Sequence, residues 1–220
     1  MNILFDLDGT LTDPSPGFIA SIRHALQTLQ RPIPSDEFIR QQIGPPIEIG
    51  MARLLGTSDI KAINEAINCY RQRYGSIGLF ENSVYPGIEE SLIALRDSGA
   101  RMFVATSKPH VFAKRILEHF GLNPYFEALY GSELDGTHAN KSILIALLLR
   151  QESLTAESTL MIGDRSHDAI GAISNGLSSI GVLWGFGSRE ELVDAGVRAI
   201  CEQPLQLLAL IHGLAKASLA

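Results

Sequence analysis

Three observations predict an α/β fold, a Rossmann-like parallel sheet into which an all-helical block is inserted. Short apolar runs end in polar residues, helical periods separate those runs from residue 86 onward, and residues 15–80 carry helical periodicity without a convincing strand. The expected boundaries are 1–14 and 82–220 for the α/β core and 15–81 for the helical domain.

The chain opens on ILFDLDGTLTDP: Ile3-Leu4-Phe5 reads as a short buried strand, with Gly9 and Pro14 as stops and Asp6 and Asp8 at its mouth. Phe18, Ile19, Ile22, Leu26 and Leu29 then fall at helical spacing, followed by helical patterns over 38–43, 47–55 and 60–74. Tyr85-Pro86-Gly87 ends that block. Beyond it come helix 88–98, strand 101–105, a helix opened by Lys108-Pro109 and running to Phe120, strand 128–130 and helix 139–151. Strand 160–162, helix 165–175, strand 179–183 and a final helix from Pro204 complete the set. Strands alternating with helices require right-handed crossovers and a parallel sheet. The two crossings into and out of the helical block, near 13–17 and 81–87, hold Gly and Pro and would form a hinge.

Composition narrows the function classes. Of the 220 residues 45% are hydrophobic and 19% charged, enough to bury a core. A net charge of -6 argues against a nucleic-acid polymer or an anionic membrane as partner, since phosphate backbones select clustered Lys and Arg. Cys69 and Cys201 have no metal-ligand spacing, and the chain enters its first strand at once; the expectation is a cytoplasmic protein with free thiols.

In a parallel sheet, ligands bind outside the carboxyl ends of the strands. There the sequence places Asp6 and Asp8, Thr106-Ser107-Lys108, and Gly163-Asp164 with Asp168 one helical turn on, while Lys141 stands near a helix start. Carboxylates, a hydroxyl and a lysine at one edge make a site for a hard cation and an oxyanion.

DLDGTLTD, ATSKP, NKS and MIGDRSHD, in this order and spacing, resemble the four motifs of the haloacid dehalogenase superfamily of phosphohydrolases, and the resemblance covers essentially the whole chain. It implies that Asp6 is the nucleophile and Asp8 the general acid and base. Thr106 would hold the phosphoryl group, and Lys141 would pair with it and with Asp6. Mg2+ would be bound by Asp6, Asp164 and the Asp8 carbonyl, with Asp168 orienting metal waters or Lys141. Gly9, Thr10, Ser107 and Lys108 would complete the substrate-binding loops. The implied partner is a small phosphorylated metabolite, and the implied assembly a monomer or homodimer.

The helical insertion and the stretches TSKP and ENSVYPG are most similar to phosphoglycolate phosphatases and 5'-nucleotidases with a small cap. A sugar phosphomutase of the β-phosphoglucomutase kind and a non-catalytic binding protein on the same fold are the other readings. Asp8 makes a true dehalogenase the poorer match. Glu133 reads better as a solvated turn residue, while Gly44-Pro45-Pro46 and the 185–190 loop read equally well as structural or functional. Arg71, Arg73 and Tyr74 are read as meeting a substrate or as a solvated helix face.

Overall fold

The computed structural model describes residues 1–217. A parallel six-stranded sheet is built from β1 (Asn2–Phe5), β4 (Arg101–Pro109), β5 (Ala128–Ser132), β6 (Thr159–Gly163), β7 (Ser178–Val182) and β8 (Ala199–Cys201), in the order β5-β4-β1-β6-β7-β8. β1 is therefore central, with Phe5 opposite both Val104 and Ile162. A strand buried on both faces needs no polar alternation, which is why Ile3, Leu4 and Phe5 can all be apolar. The pleat sends Ile3 and Phe5 to one layer with Val104 and Ile162, and Leu4 to the other with Phe103, Leu144 and Leu148.

Helices cover the two faces. α5 (Ile88–Asp97), α6 (His110–His119) and α10 (Leu207–Ala217) contribute to the first layer; α7 (Lys141–Gln151) and α8 (Ser166–Ile173) contribute to the second. Between β1 and the core's next helix lies the block α1 (Ser15–Thr28), α2 (Asp36–Arg40), α3 (Ile47–Leu55) and α4 (Ile60–Arg73), closed by a π-helical turn at Tyr74–Gly78. Its two ends are tied by a ribbon too short for periodicity to reveal, β2 (Thr12–Asp13) antiparallel to β3 (Ser83–Val84). Just above the ribbon the backbones touch: a Cβ on Gly17 would collide with the Gly78 carbonyl oxygen, so this crossing tolerates only glycine. Arg73 grips Glu81 through both Nη atoms, at 2.7 and 2.9 Å, across the same junction.

Several expected boundaries move. Lys108 and Pro109 do not open a helix; β4 continues through them, regains its pairing with β5 at Pro109–Ser132 after an irregularity, and the helix starts at His110. Proline lacks the N–H a central ladder uses, and an irregularity in the pairing such as the one before Pro109 is a place where that loss is tolerated. The edge strand β8 and the short helix α9 (Arg189–Asp194) add to the expected elements, each too brief to show a period. The final helix begins at Leu207, preceded by a single 3-10 turn at Pro204–Gln206.

Candidate active site

β4, β1 and β6 are neighbours, so the polar residues at and beyond their carboxyl ends meet at one edge. Lys141 arrives from the second layer. The Asn140 side chain accepts hydrogen bonds from the backbone N–H groups of Ser142 and Ile143, a cap that starts α7 and fixes Lys141 as its first residue. Lys141 Nζ donates to Asp6 Oδ1 at 2.8 Å and to the Ala105 carbonyl at 2.8 Å, and lies 2.7 Å from Asp168 Oδ1. Its stem passes over Gly171, where a Cβ would stand 2.7 Å from Lys141 Cγ. Asp168 is held in turn by the N-terminus of α8, accepting from the Arg165 N–H at 3.2 Å.

Asp164 is fully buried and set in a collar of glycines. A Cβ on Gly9, Gly163 or Gly185 would penetrate the Asp164 or Asp168 carboxyl groups, and Gly9 also needs its φ of +86°. Thr10 Oγ1 donates to Asp164 Oδ1 at 3.2 Å and the Phe186 N–H to Oδ2 at 2.8 Å, while Trp184 Nε1 locks the loop through the Thr10 carbonyl at 2.9 Å. The 185–190 loop, equally structural or functional by sequence, is thus half of the cradle around Asp164. The signal for it was the pair Gly185 and Gly187 beside the lone Trp184.

Asp8 makes a separate contact. Its Oδ2 lies 2.5 Å from Lys108 Nζ, which also donates to the Tyr74 hydroxyl at 2.6 Å. Thr106 is buried and its hydroxyl accepts the Lys108 N–H at 3.2 Å. Ser107 Oγ donates to the Ala139 carbonyl at 3.0 Å, so this hydroxyl ties β4 to the approach of α7. Tyr74, expected to meet substrate or to sit on a solvated face, is buried, and Arg71 donates to the Leu134 carbonyl at 2.6 Å. His167 is half-buried with Nδ1 unpartnered, Glu133 is exposed, and His138 sits at φ +63° in the loop before α7.

Electrostatics follow from burial. Desolvation drives the Asp164 carboxyl well above the usual range, with Asp168 and Asp6 adding like charge. Asp168 is pushed up to about 6 by burial, against the opposing pull of Lys141. Burial alone would lower the Lys141 ammonium, but Asp168 and Asp6 outweigh it and hold it above its ordinary value. Asp8 is raised by burial too, with Lys108 pulling the other way. Donor oxygens of Asp6, Asp164 and Asp168 lie within 4.8 Å of one another. Four carboxylates face two ammonium groups here, so a divalent cation would cancel the excess, and an all-oxygen donor set suits a hard ion.

Outward from these groups lies a cleft between the helical block and the sheet edge, walled by Phe18, Ile43, Pro45, Tyr70, Tyr74 and Phe112, with Glu48, Glu133 and Arg71 in its charged lining. Arg165 bridges the block and the core, donating to the Ile43 carbonyl at 2.5 Å and to Glu191 Oε1 at 3.0 Å. Among the described residues no helix is long and apolar enough to cross a membrane.

Residues 3–182 match the family of haloacid dehalogenase-like hydrolases. A 5'-nucleotidase of Pseudomonas aeruginosa is 50% identical over 191 residues, covering 87% of this chain and 86% of its own. The tyrosine-protein kinase PtkA of Mycobacterium tuberculosis is 40% identical over 87% of this chain, a match spanning 65% of that protein. A crystal structure from Clostridium acetobutylicum, described as a predicted phosphatase, superposes with a TM-score of 0.92 at 40% identity and covers 96% of this chain and 98% of its own. On that match and these relatives, laid over a buried lysine–carboxylate cluster at the end of β1, the chain belongs to the haloacid dehalogenase-like hydrolase family and is an enzyme of its phosphatase kind.

Proposed function

We propose that this protein is a Mg2+-dependent phosphatase of small phosphate monoesters, working through an aspartyl phosphate on Asp6, with nucleoside monophosphates as its substrate class. The observation that carries the reaction is the junction of Asp6 with Lys141, Asp164 and Asp168 alongside, next to a cleft whose lining includes Asp8 and Lys108. Phosphoryl transfer asks little covalent chemistry of a protein and much positioning and charge neutralisation.

In this reading Asp6 attacks phosphorus; an Asp6 oxygen–phosphorus bond forms as the bond to the leaving oxygen breaks. Asp8 gives its proton to that oxygen. Water then attacks the aspartyl phosphate, Asp8 takes back a proton, and Asp6 is released with inorganic phosphate. Lys141 stays charged throughout, because two carboxylates face it, and so offers a fixed positive group to the phosphoryl oxygens and Asp6. The Thr106 hydroxyl holds a remaining oxygen. Asp6, Asp164 and the Asp8 carbonyl would hold Mg2+, which when bound would supply the charge neutralisation that an anionic carboxylate needs to approach an anionic ester. Residues 15–81 act as the cap that covers the reaction.

The cleft supports the substrate class. Its walls are aromatic and apolar, while its charged lining sets Glu48 and Glu133 against Arg71, and Lys108 is engaged by Asp8. A flat base can stack on such walls; the carboxylate of phosphoglycolate would meet two like charges and one arginine. The 50% identity to a 5'-nucleotidase agrees with that preference. The test is phosphate release from nucleoside monophosphates, phosphoglycolate and hexose phosphates, with and without Mg2+, beside Asp6→Asn. Mg2+-dependent preference for nucleotides is expected. Preference for phosphoglycolate would overturn the substrate class, and conversion of sugar phosphates without phosphate release would replace the phosphatase by a mutase.

A further inference from the structure

Asp8 is held differently from the other carboxylates of the site. Asp6 and Asp168 share Lys141, and Asp164 has Thr10 and the Phe186 N–H, whereas the sole partner of the Asp8 carboxylate among the described residues is Lys108, on Oδ2. Its Oδ1 is buried without a hydrogen bond. A lysine is a poor anchor by itself, a compact charge on a flexible four-carbon stem with three donors that turn. Here the residue is fixed at both ends. The Lys108 N–H is bound to Thr106 Oγ1, and Nζ is bound to the Tyr74 hydroxyl at 2.6 Å while standing 4.9 Å from the centre of the Tyr74 ring.

Tyr74 does not belong to the sheet. It begins the π-helical turn that ends the helical block, and π-turns inserted after an α-helix often mark functional positions. Its ring stacks on Tyr70 at 4.9 Å and meets Phe112 of the core edge-on at 5.8 Å, so it sits where the block contacts the core. The same turn ends at Gly78, whose close approach to Gly17 packs the turn against α1 within the helical block.

We propose that Tyr74 is a positioning residue for Asp8: through Lys108 it holds the Asp8 carboxyl group at the cleft when the helical block is seated on the sheet edge. The contact makes proton delivery to the leaving group conditional on the seated block. It rests on the reading of Asp8 as the general acid. Once the block lifts, Lys108 loses the hydroxyl that aims it, and Asp8 loses a fixed partner.

Tyr74→Phe is the sharp test, because it keeps the ring, its stacking and its place beside Lys108 and removes one oxygen. Lys108→Met removes the middle of the chain. Each variant and Asp8→Asn is compared with wild type, in Mg2+, by kcat/KM on p-nitrophenyl phosphate, whose leaving group needs no proton, and on an alkyl ester, adenosine 5'-monophosphate. Thermal unfolding checks that each variant is folded. A general acid contributes roughly 100-fold or more to departure of a poor leaving group. Tyr74→Phe is expected to lose about tenfold or more on the alkyl ester and to stay within about threefold on the aryl ester, with Lys108→Met larger in the same direction. An equal loss on both esters makes Tyr74 merely structural, and unchanged kinetics removes it from the reaction; either overturns the proposal while leaving the Asp8 role intact. If Asp8→Asn itself shows no leaving-group discrimination, the acid assignment falls and the proposal falls with it.

Discussion

Asp6→Asn separates the chemistry from the fold at a single atom. The amide keeps the size of the side chain and leaves Lys141 paired with Asp168, so the fold is expected to survive. Turnover is expected to fall by about 10,000-fold or more, as when other covalent nucleophiles are removed. Phosphate release beside a circular-dichroism spectrum decides it; retained activity in a folded variant sinks the nucleophile assignment. Gly9 makes the opposite kind of prediction. Its alanine variant would drive a Cβ into the Asp164 carboxyl group at a φ of +86°, and a loss of about 2 kcal/mol or more is expected together with loss of metal-dependent activity. Thermal unfolding reads the first and phosphate release with and without Mg2+ the second, and an alanine that keeps full stability refutes the packing argument.

Elements place the residues that chemistry needs. Asn140 caps α7 and thereby sets the height of Lys141, so Asn140→Ala is expected to cost about 1 kcal/mol, a fall of roughly 2–4 °C in Tm for a domain of this size. Activity should fall further than stability, because the misplaced atom is Lys141 Nζ, 2.8 Å from Asp6. Normal kcat with a lowered Tm would show that Lys141 is positioned by Asp6, Asp168 and the Ala105 carbonyl without the cap. The loop after β7 works in the same way: Trp184, Gly185 and Phe186 fold over Gly9 and Asp164, so β1 and β7 share one cradle although β6 lies between them. The sequence displayed Asn140 inside the NKS stretch and the two glycines beside Trp184. It could not show what they enclose, since a loop carries no period.

Across the molecule the buried charges link stability, metal and pH. Asp168 is raised to about 6 by burial, above the unfolded value near 3.9, so the folded metal-free protein keeps a proton that the unfolded chain has released. The contribution of Asp168 to the stability of the metal-free form is therefore lost as pH rises from about 4 through 6, at most about 1.4 kcal/mol from this one group for each step of one in pH, and the raised Asp164 and Asp8 act with the same sign. Cation binding needs ionised carboxylates, so the rise in Tm on adding Mg2+ should be larger near pH 7 than near pH 5. Calorimetry in EDTA and in excess Mg2+ at both pH values tests this, and equal increments would show that the acidic cluster does not hold the cation. EDTA is expected to silence turnover and Mg2+ to restore it.

Features that are local or periodic were legible in the chain alone. Apolar runs and helical spacing declared the parallel sheet and the helical insertion, because a strand buried on both faces and an amphipathic helix must be written that way. The residues Asp6, Asp8, Lys141 and Asp164 were legible because the resemblance preserves their order and spacing. Which side chains touch emerges only on folding. Lys108 stands at the end of β4 and Tyr74 ends the helical block, 34 residues apart, and nothing in the spacing says that one ammonium group joins the hydroxyl to Asp8. The same holds for Arg165 and the Ile43 carbonyl, 122 residues apart. The β2–β3 ribbon was hidden for a related reason, since two residues on each side carry no alternation to read. Contacts of this kind depend on how the helical block is seated on the sheet, and that is set by pairs such as Arg71 with the Leu134 carbonyl and Arg115 with the Gly75 carbonyl, which join segments 63 and 40 residues apart and leave no period in the sequence.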